Sequence, residues 1–260
     1  MFKYIWHEFK EALNRKTTYL YIAGIFALCL IANAAVVGFR MIYGTNEGTY
    51  AYNLIEYATW CFIIPYYSCI FIADIAFGKT YPNPQIRNGL TAKLTRSLIY
   101  LSKLFVSIIL AMMYLVVAFV FLIGLTTIFQ MRDGNITSYS IVDFLNKMAI
   151  AIPLWIAGLA IAMMCLFMFE KRKMAFIWYF VITLVIPRLI MLLAAEPFRI
   201  DFFRFLRRYT ISQNFSLIPY PADPARSVPL TIALGIIYTV VATVIGCIAY
   251  SRKTGTIEAE

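Results

Sequence analysis

Two ionisable side chains stand inside long apolar runs. Asp74 falls in the run from Tyr57 to Phe77, and Arg188 follows Pro187 in the run from Met174 to Ala195. A charge within hydrocarbon is costly to keep, so such residues are functional candidates by default. Asp74, within a turn of the end of its run, can clamp Lys79 or a basic residue beyond it, or act as a cation-coupling carboxylate. Arg188 can snorkel outward or reach toward Glu196, about 12 Å further along a helix. Ion-coupled transporters use a carboxylate near the middle of a span, and none of the runs has one there. Phe77-Gly78-Lys79-Thr80 looks like the end of a phosphate-binding GxxxxGK[ST] loop, but the position of its first glycine holds Ala73. His7 is the only histidine, so an HExxH zinc site cannot form. Cys29, Cys61, Cys69, Cys165 and Cys247 all lie in apolar runs without a CxxC pair, and act as small hydrophobes. The expectation is a chain with no catalytic, cofactor or metal site of its own, in which any work comes from a partner.

The elements that must position these residues follow from composition. The 260 residues are 62% hydrophobic and 14% charged, where a soluble domain has about half and about a quarter. A net charge of +10 then bears on which side of a bilayer each loop occupies rather than on nucleic acid. About 20 apolar helical residues cross a hydrocarbon core. Six runs meet this: Tyr19 to Phe39, Tyr57 to Phe77, Leu104 to Phe129, Ile150 to Phe169, Met174 to Ala195, and Leu230 to Tyr250. Pro65, Pro153 and Pro187 mark kinks in the second, fourth and fifth. The expected fold is therefore an all-α polytopic membrane protein of six transmembrane helices, a single transmembrane domain over residues 1–260. The first run is too long for a cleaved signal, so the first helix is expected to stay.

Lysine and arginine set the expected orientation. With the N-terminus in the cytoplasm, Lys3, Lys10, Arg15, Lys16, Lys79, Arg87, Lys93, Arg96, Lys103, Lys171, Arg172, Lys173, Arg252 and Lys253 fall inside. Arg40, Arg132, Lys147, Arg199, Arg204, Arg207, Arg208 and Arg226 fall outside. The excess lies inside, as the positive-inside rule requires, with both termini cytoplasmic.

Three segments outside the runs carry structure of their own. Residues 2–16 place Phe2, Ile5, Trp6, Phe9 and Leu13 on one face, the pattern of an interfacial helix that anchors the first span or acts mechanically. Residues 78–103 hold Tyr81-Pro82-Asn83-Pro84 and the turn signal Asn88-Gly89, then a basic amphipathic helix from Leu90 to Lys103. They suggest a docking surface beyond a bare loop. In residues 196–229, Phe198, Phe202, Phe203, Phe205 and Leu206 alternate with Arg199, Asp201, Arg204, Arg207 and Arg208. This predicts a short helix at the outer interface, with an irregular return through Pro219, Pro221, Pro224 and Pro229. Arg188, Phe202, Arg204, Arg207 and Arg208 are the candidate contacts there, either for anionic lipid or for an amphiphilic substrate at a lid.

The layout resembles permease subunits of the ABC-2 type export superfamily, especially six-span proteins linked to lantibiotic or bacitracin self-protection and to sodium or drug efflux. The resemblance rests on the amphipathic start from Phe2 to Lys16, Asp74 ending the second span, and Gly78-Lys79-Thr80. It continues through Gly89-Leu90-Thr91-Ala92-Lys93-Leu94-Thr95-Arg96 and Ile99-Tyr100-Leu101-Ser102-Lys103. This chain carries Asp74 where that family more often has Glu. The resemblance implies that Asp74, Gly78, Lys79, Arg87, Gly89, Lys93, Arg96 and Lys103 form a coupling region docked on a separate cytoplasmic ABC ATPase. ATP and Mg2+ would bind that subunit. It also implies a second permease protomer, identical or different, a bacterial plasma-membrane location, and short extracellular helices between the fifth and sixth spans. A non-transporting anchor or sensor that docks a cytoplasmic protein through the same basic loop is the alternative, and an ion-coupled secondary transporter a further one.

Overall fold

The computed structural model describes residues 2–43, 50–78, 95–129, 137–196, 198, 200–220, 223 and 227–252, and among these there is no β-strand. The helices are α1 (Phe2–Leu13), α2 (Lys16–Tyr43), α3 (Tyr50–Trp60), α4 (Ile63–Phe77), α5 (Arg96–Phe129) and α6 (Ser138–Met168). They continue as α7 (Arg172–Phe180), a π-helical turn (Val181–Val185), α8 (Ile186–Ala194), α9 (Asp201–Arg208), α10 (Ile211–Leu217) and α11 (Val228–Arg252). Among the described residues, five helical stretches are long and apolar enough to cross a membrane: Lys16–Ile42, Arg96–Phe129, Ser138–Met168, Arg172–Ala194 and Val228–Ser251. Asn53–Trp60 and Ile63–Phe77 pass the same test as a pair bent by 58°. The chain is an all-α polytopic membrane protein.

The bend in that pair lies before the proline, not at it. Pro65 has no N–H for the Cys61 carbonyl and its ring crowds that carbonyl. The Ile64 amide donates to the Cys61 carbonyl instead, at 2.9 Å. The Trp155 indole N–H of α6 donates to the Phe62 carbonyl at 2.8 Å. In the fifth apolar run Pro187 acts the same way on Thr183, which lies within the π turn; there the Ile186 amide reaches back to the Val181 carbonyl.

α6 is the central helix. From Ala157 to Phe167 every side chain is buried, as expected of a helix apolar all round with neighbours on every side. α11 packs along it most extensively, α4 and α5 cover its other sides, and α2 lies on α5. Small residues permit the close approaches. A Cβ on Gly158 would stand 2.7 Å from the Tyr66 ring, and one on Gly235 2.6 Å from Pro153. The outer faces of α2, α7, α8 and α11 expose apolar side chains such as Leu20, Ile31, Ile177, Leu189, Ile237 and Val244.

Three expectations need correction. α6 starts at Ser138, capped by Thr137, whose hydroxyl accepts from the Ser140 amide at 3.2 Å. That is about three turns before Ile150, so Lys147 lies inside the helix, not in a loop. It is buried and pairs with Asp143 at 2.7 Å, one turn away. Between α9 and the proline-marked return lies a second short helix, α10, where a single one was expected. On α1, Trp6 is exposed and stacked under the Lys10 ammonium, 5.2 Å from the ring centroid. Ile5, Phe9 and Leu13 do pack on the core, but the deepest positions are Tyr4, Glu8 and Ala12. Lys79, Arg87, Gly89, Lys93, Arg199 and Arg226 lie outside the described residues, as do the 81–84 and 88–89 turns and the first part of the basic helix predicted from Leu90.

Candidate functional site: a charge cluster at the end of α4

A helix leaves its last carbonyls without intrahelical partners and carries partial negative charge at that end. In α4 each of these carbonyls is met. The Gly78 amide donates to the Asp74 carbonyl at 3.0 Å. Arg15, between α1 and α2, donates through Nη1 to the Ile75 carbonyl. Lys103 of α5 donates through Nζ to the carbonyls of Ala76 at 3.5 Å and Phe77 at 3.2 Å. Arg172, opening α7, donates through Nη2 to the Gly78 carbonyl at 3.3 Å. Three cations from three elements thus converge on five consecutive residues.

Each cation also has a carboxylate. Lys103 pairs with Glu8 of α1 at 2.5 Å, with the lysine side chain 1% exposed and the glutamate 12%. Arg15 pairs with Glu11 at 2.8 Å. Arg172 pairs with Asp74 through Nε, at 2.6 Å. Three positive and three negative groups leave the cluster formally neutral, the condition under which buried charges are tolerated. Burial alone would raise the Glu11 carboxyl, but the hydrogen bond and charge of Arg15 outweigh it and hold it below the ordinary range. Tyr4 is pushed up, first by burial and then by the neighbouring Glu8 carboxylate.

Gly78 is required where it stands. Its φ of 64° and ψ of −159° fall in a region that is essentially glycine-only. A Cβ there would lie 1.9 Å from Nη2 of Arg15. The absence of a side chain lets the guanidinium seat against the helix end, immediately before residue 79.

Of the residues singled out in the sequence, Asp74, Gly78 and Lys103 come together here. Asp74 pairs with Arg172, the first residue of α7; Lys79, Arg87 and Lys93, its other expected partners, lie outside the described residues. Arg96 opens α5 about 10 Å along the helix from Lys103 and is not part of the cluster. Glu8, Glu11, Arg15 and Arg172 complete the site and were not identified as site residues from the sequence. Glu11 and Arg15 did carry a signal, a Glu-to-Arg pair at i,i+4.

The second group of sequence candidates lies at the other end of the bundle. Thr231 and Tyr250 stand near opposite ends of α11, about 28 Å apart at the helical rise; Tyr250 packs on Phe167, which also touches Phe77 and Tyr100. Thr231 donates to Asn214 of α10 at 3.0 Å. Asn214 in turn donates to the carbonyls of Arg208 at 3.1 Å and Thr210 at 2.9 Å. Phe215 inserts α10 into the core against Tyr66 and Trp155. Arg207 donates to Gln213 at 2.8 Å, and Arg204 pairs with Asp201 at 3.5 Å. Phe202, Arg204 and Arg208 are exposed. Arg188 is exposed near Tyr67 and is paired with no described carboxylate, which fits the outward of its two expected courses better than the link to Glu196.

No protein-family model matches the chain, and no curated protein matches it.

Proposed function

We propose that this chain is the membrane-spanning permease subunit of an ATP-driven exporter of the ABC-2 type, worked by a separate cytoplasmic ATPase. The observation that carries this is the end of α4. The segment that begins at residue 79 leaves a helix whose last carbonyls are gripped by Arg15, Lys103 and Arg172. A push on that segment is delivered at once to α1, α5 and α7. A merely topogenic loop has no need of such a joint, whereas a part that turns a partner's motion into a change of access does.

In this reading the bent pair α3–α4 is one span, making six, with the Gly78 end and both termini cytoplasmic and α9 and α10 outside. ATP and Mg2+ bind the partner. Two permease protomers, identical or different, form the path. The cargo is an amphiphile such as an antimicrobial peptide or antibiotic. No residue of this chain is catalytic; Asp74, Gly78, Lys103 and the 79–96 segment transmit, and the basic positions Arg87, Lys93 and Arg96 supply the docking charge.

The test is affinity purification of the full chain from its native membrane, scored for an ATPase subunit in stoichiometric amount. The expected result is that the ATPase accompanies the native chain and is lost when Arg87, Lys93 and Arg96 are changed together to Glu. Recovery of some other cytoplasmic protein at that loop, with no ATPase under gentle extraction, would favour the anchor or sensor alternative and sink the permease assignment.

A further inference from the structure

We propose that α9 is a built recognition surface for anionic phospholipid headgroups, and that it is not a lid over cargo. The inference rests on the membrane-spanning fold and not on the partner ATPase. At 100° per residue, Phe202, Phe205, Leu206 and Tyr209 share one arc of the helix, while Asp201, Arg204, Arg207 and Arg208 share the opposite one. Phe202 is 65% exposed and Phe205 63%, although each is a large apolar ring.

The neighbouring helix indicates what covers those rings. α9 packs against α8, whose Leu189 and Leu192 are themselves more than half exposed in a stretch apolar enough to cross a membrane. The aromatic face of α9 thus adjoins an apolar surface that a membrane-spanning fold would set against acyl chains. Its other face holds three arginines and a single carboxylate. Rings among acyl chains with guanidinium groups at the phosphate level is the arrangement such side chains adopt at a bilayer boundary.

The helix is also held in position. Its final carbonyl, at Arg208, is bound by Asn214, and the carbonyl of Tyr209 accepts from the Tyr238 hydroxyl of α11 at 3.2 Å. Arg207 is braced by Gln213. A gate would need freedom to swing, whereas α9 is pinned by two other helices. Arg204 and Arg208 are exposed, opposed among the described residues only by Asp201 at 3.5 Å from Arg204.

The experiment uses two full-length chains reconstituted into phosphatidylcholine vesicles, one with Phe205→Trp and all four native tryptophans changed to Phe, the other keeping Trp178 as its single indole. Brominated phosphatidylglycerol and brominated phosphatidylcholine are compared as quenchers of the added indole at the same low mole fraction. The expected result is quenching about fivefold more effective per lipid with the anionic species, the enrichment that one basic side chain at a charged surface provides. Arg204→Gln with Arg208→Gln should bring the two lipids level, and Asp201→Asn should widen the gap. Equal quenching by both lipids in the Phe205→Trp chain overturns the proposal. So does an indole quenched by neither while Trp178, 42% exposed on α7, is quenched normally, because α9 is then covered by a second copy or lies in water. If Trp178 also escapes quenching, the membrane-spanning placement fails and the proposal fails with it.

Discussion

Replacing Lys103 by methionine should destabilise the chain by about 3–5 kcal/mol, the cost of stranding a buried charge by removing its partner. Glu8 would then stand beside α5 with no cation, and the Ala76 and Phe77 carbonyls would lose the ammonium that caps them. Mixed-micelle unfolding in sodium dodecyl sulfate measures this directly. The double variant Lys103→Met with Glu8→Leu should recover part of the loss, because an apolar pair of similar volume replaces a buried ion pair at little cost. It should not recover all of it, since two helix-end carbonyls stay without their donor, at about 1–3 kcal/mol for an unsatisfied group. If the single and double variants unfold alike, the Glu8 contact contributes nothing and the cluster is only a set of independent caps.

Gly235→Leu should weaken the bundle by about 1–3 kcal/mol or more, the range for forcing extra atoms into a packed core. A Cβ there meets the backbone carbon of Pro153 at 2.6 Å. Backbone cannot rotate aside as a side chain does, so α6 and α11 must separate along the most extensive helix contact in the molecule. Gly246 makes the useful contrast, because its neighbour is the Tyr100 phenol, at 2.4 Å, and a side chain can yield. Gly24 is the control, with nothing within 4 Å of its Cβ. A leucine there should leave the unfolding midpoint unchanged or slightly raised. Equal losses at Gly235 and Gly24 would mean that α6 and α11 are not in close contact.

The apolar runs were legible because a membrane-crossing helix must be apolar for some 20 residues, and each expected run is helical: bent just before Pro65, continuous through Pro153, and passing a π turn just before Pro187. Ser138 was not legible as the start of α6, since Asp143, Asn146 and Lys147 lower the local hydropathy. The i,i+4 pair of Asp143 and Lys147 lets those residues stay helical. α10 did announce itself: Thr210 and Gln213 form the T-x-x-Q of a capping box, and the Thr210 hydroxyl accepts from the Gln213 amide at 3.4 Å. The prolines that follow hid it.

The site was half visible. Asp74, Gly78 and Lys103 stand out by charge, turn chemistry and position at the ends of apolar runs. Glu8 did not, because a glutamate on a short amphipathic helix reads as solvent-facing. Its burial follows from α1 packing onto α5, a register that leaves no periodic trace in either segment. The same holds for Arg172, which meets Asp74 across 98 residues of sequence through tertiary packing alone.

The most direct test of coupling through α4 uses Cys61, exposed at the bend with α3. From there α4 runs 15 residues to the charge cluster, about 22 Å at the helical rise. In the complex with its ATPase, with the other four cysteines replaced, the spin-resonance line shape of a nitroxide attached to Cys61 should change when the ATPase is trapped with nucleotide. In the Lys103→Met, Glu8→Leu chain, which still binds the ATPase, that response should disappear. A line shape indifferent to nucleotide, or the same response in the double variant, would contradict transmission through the end of α4.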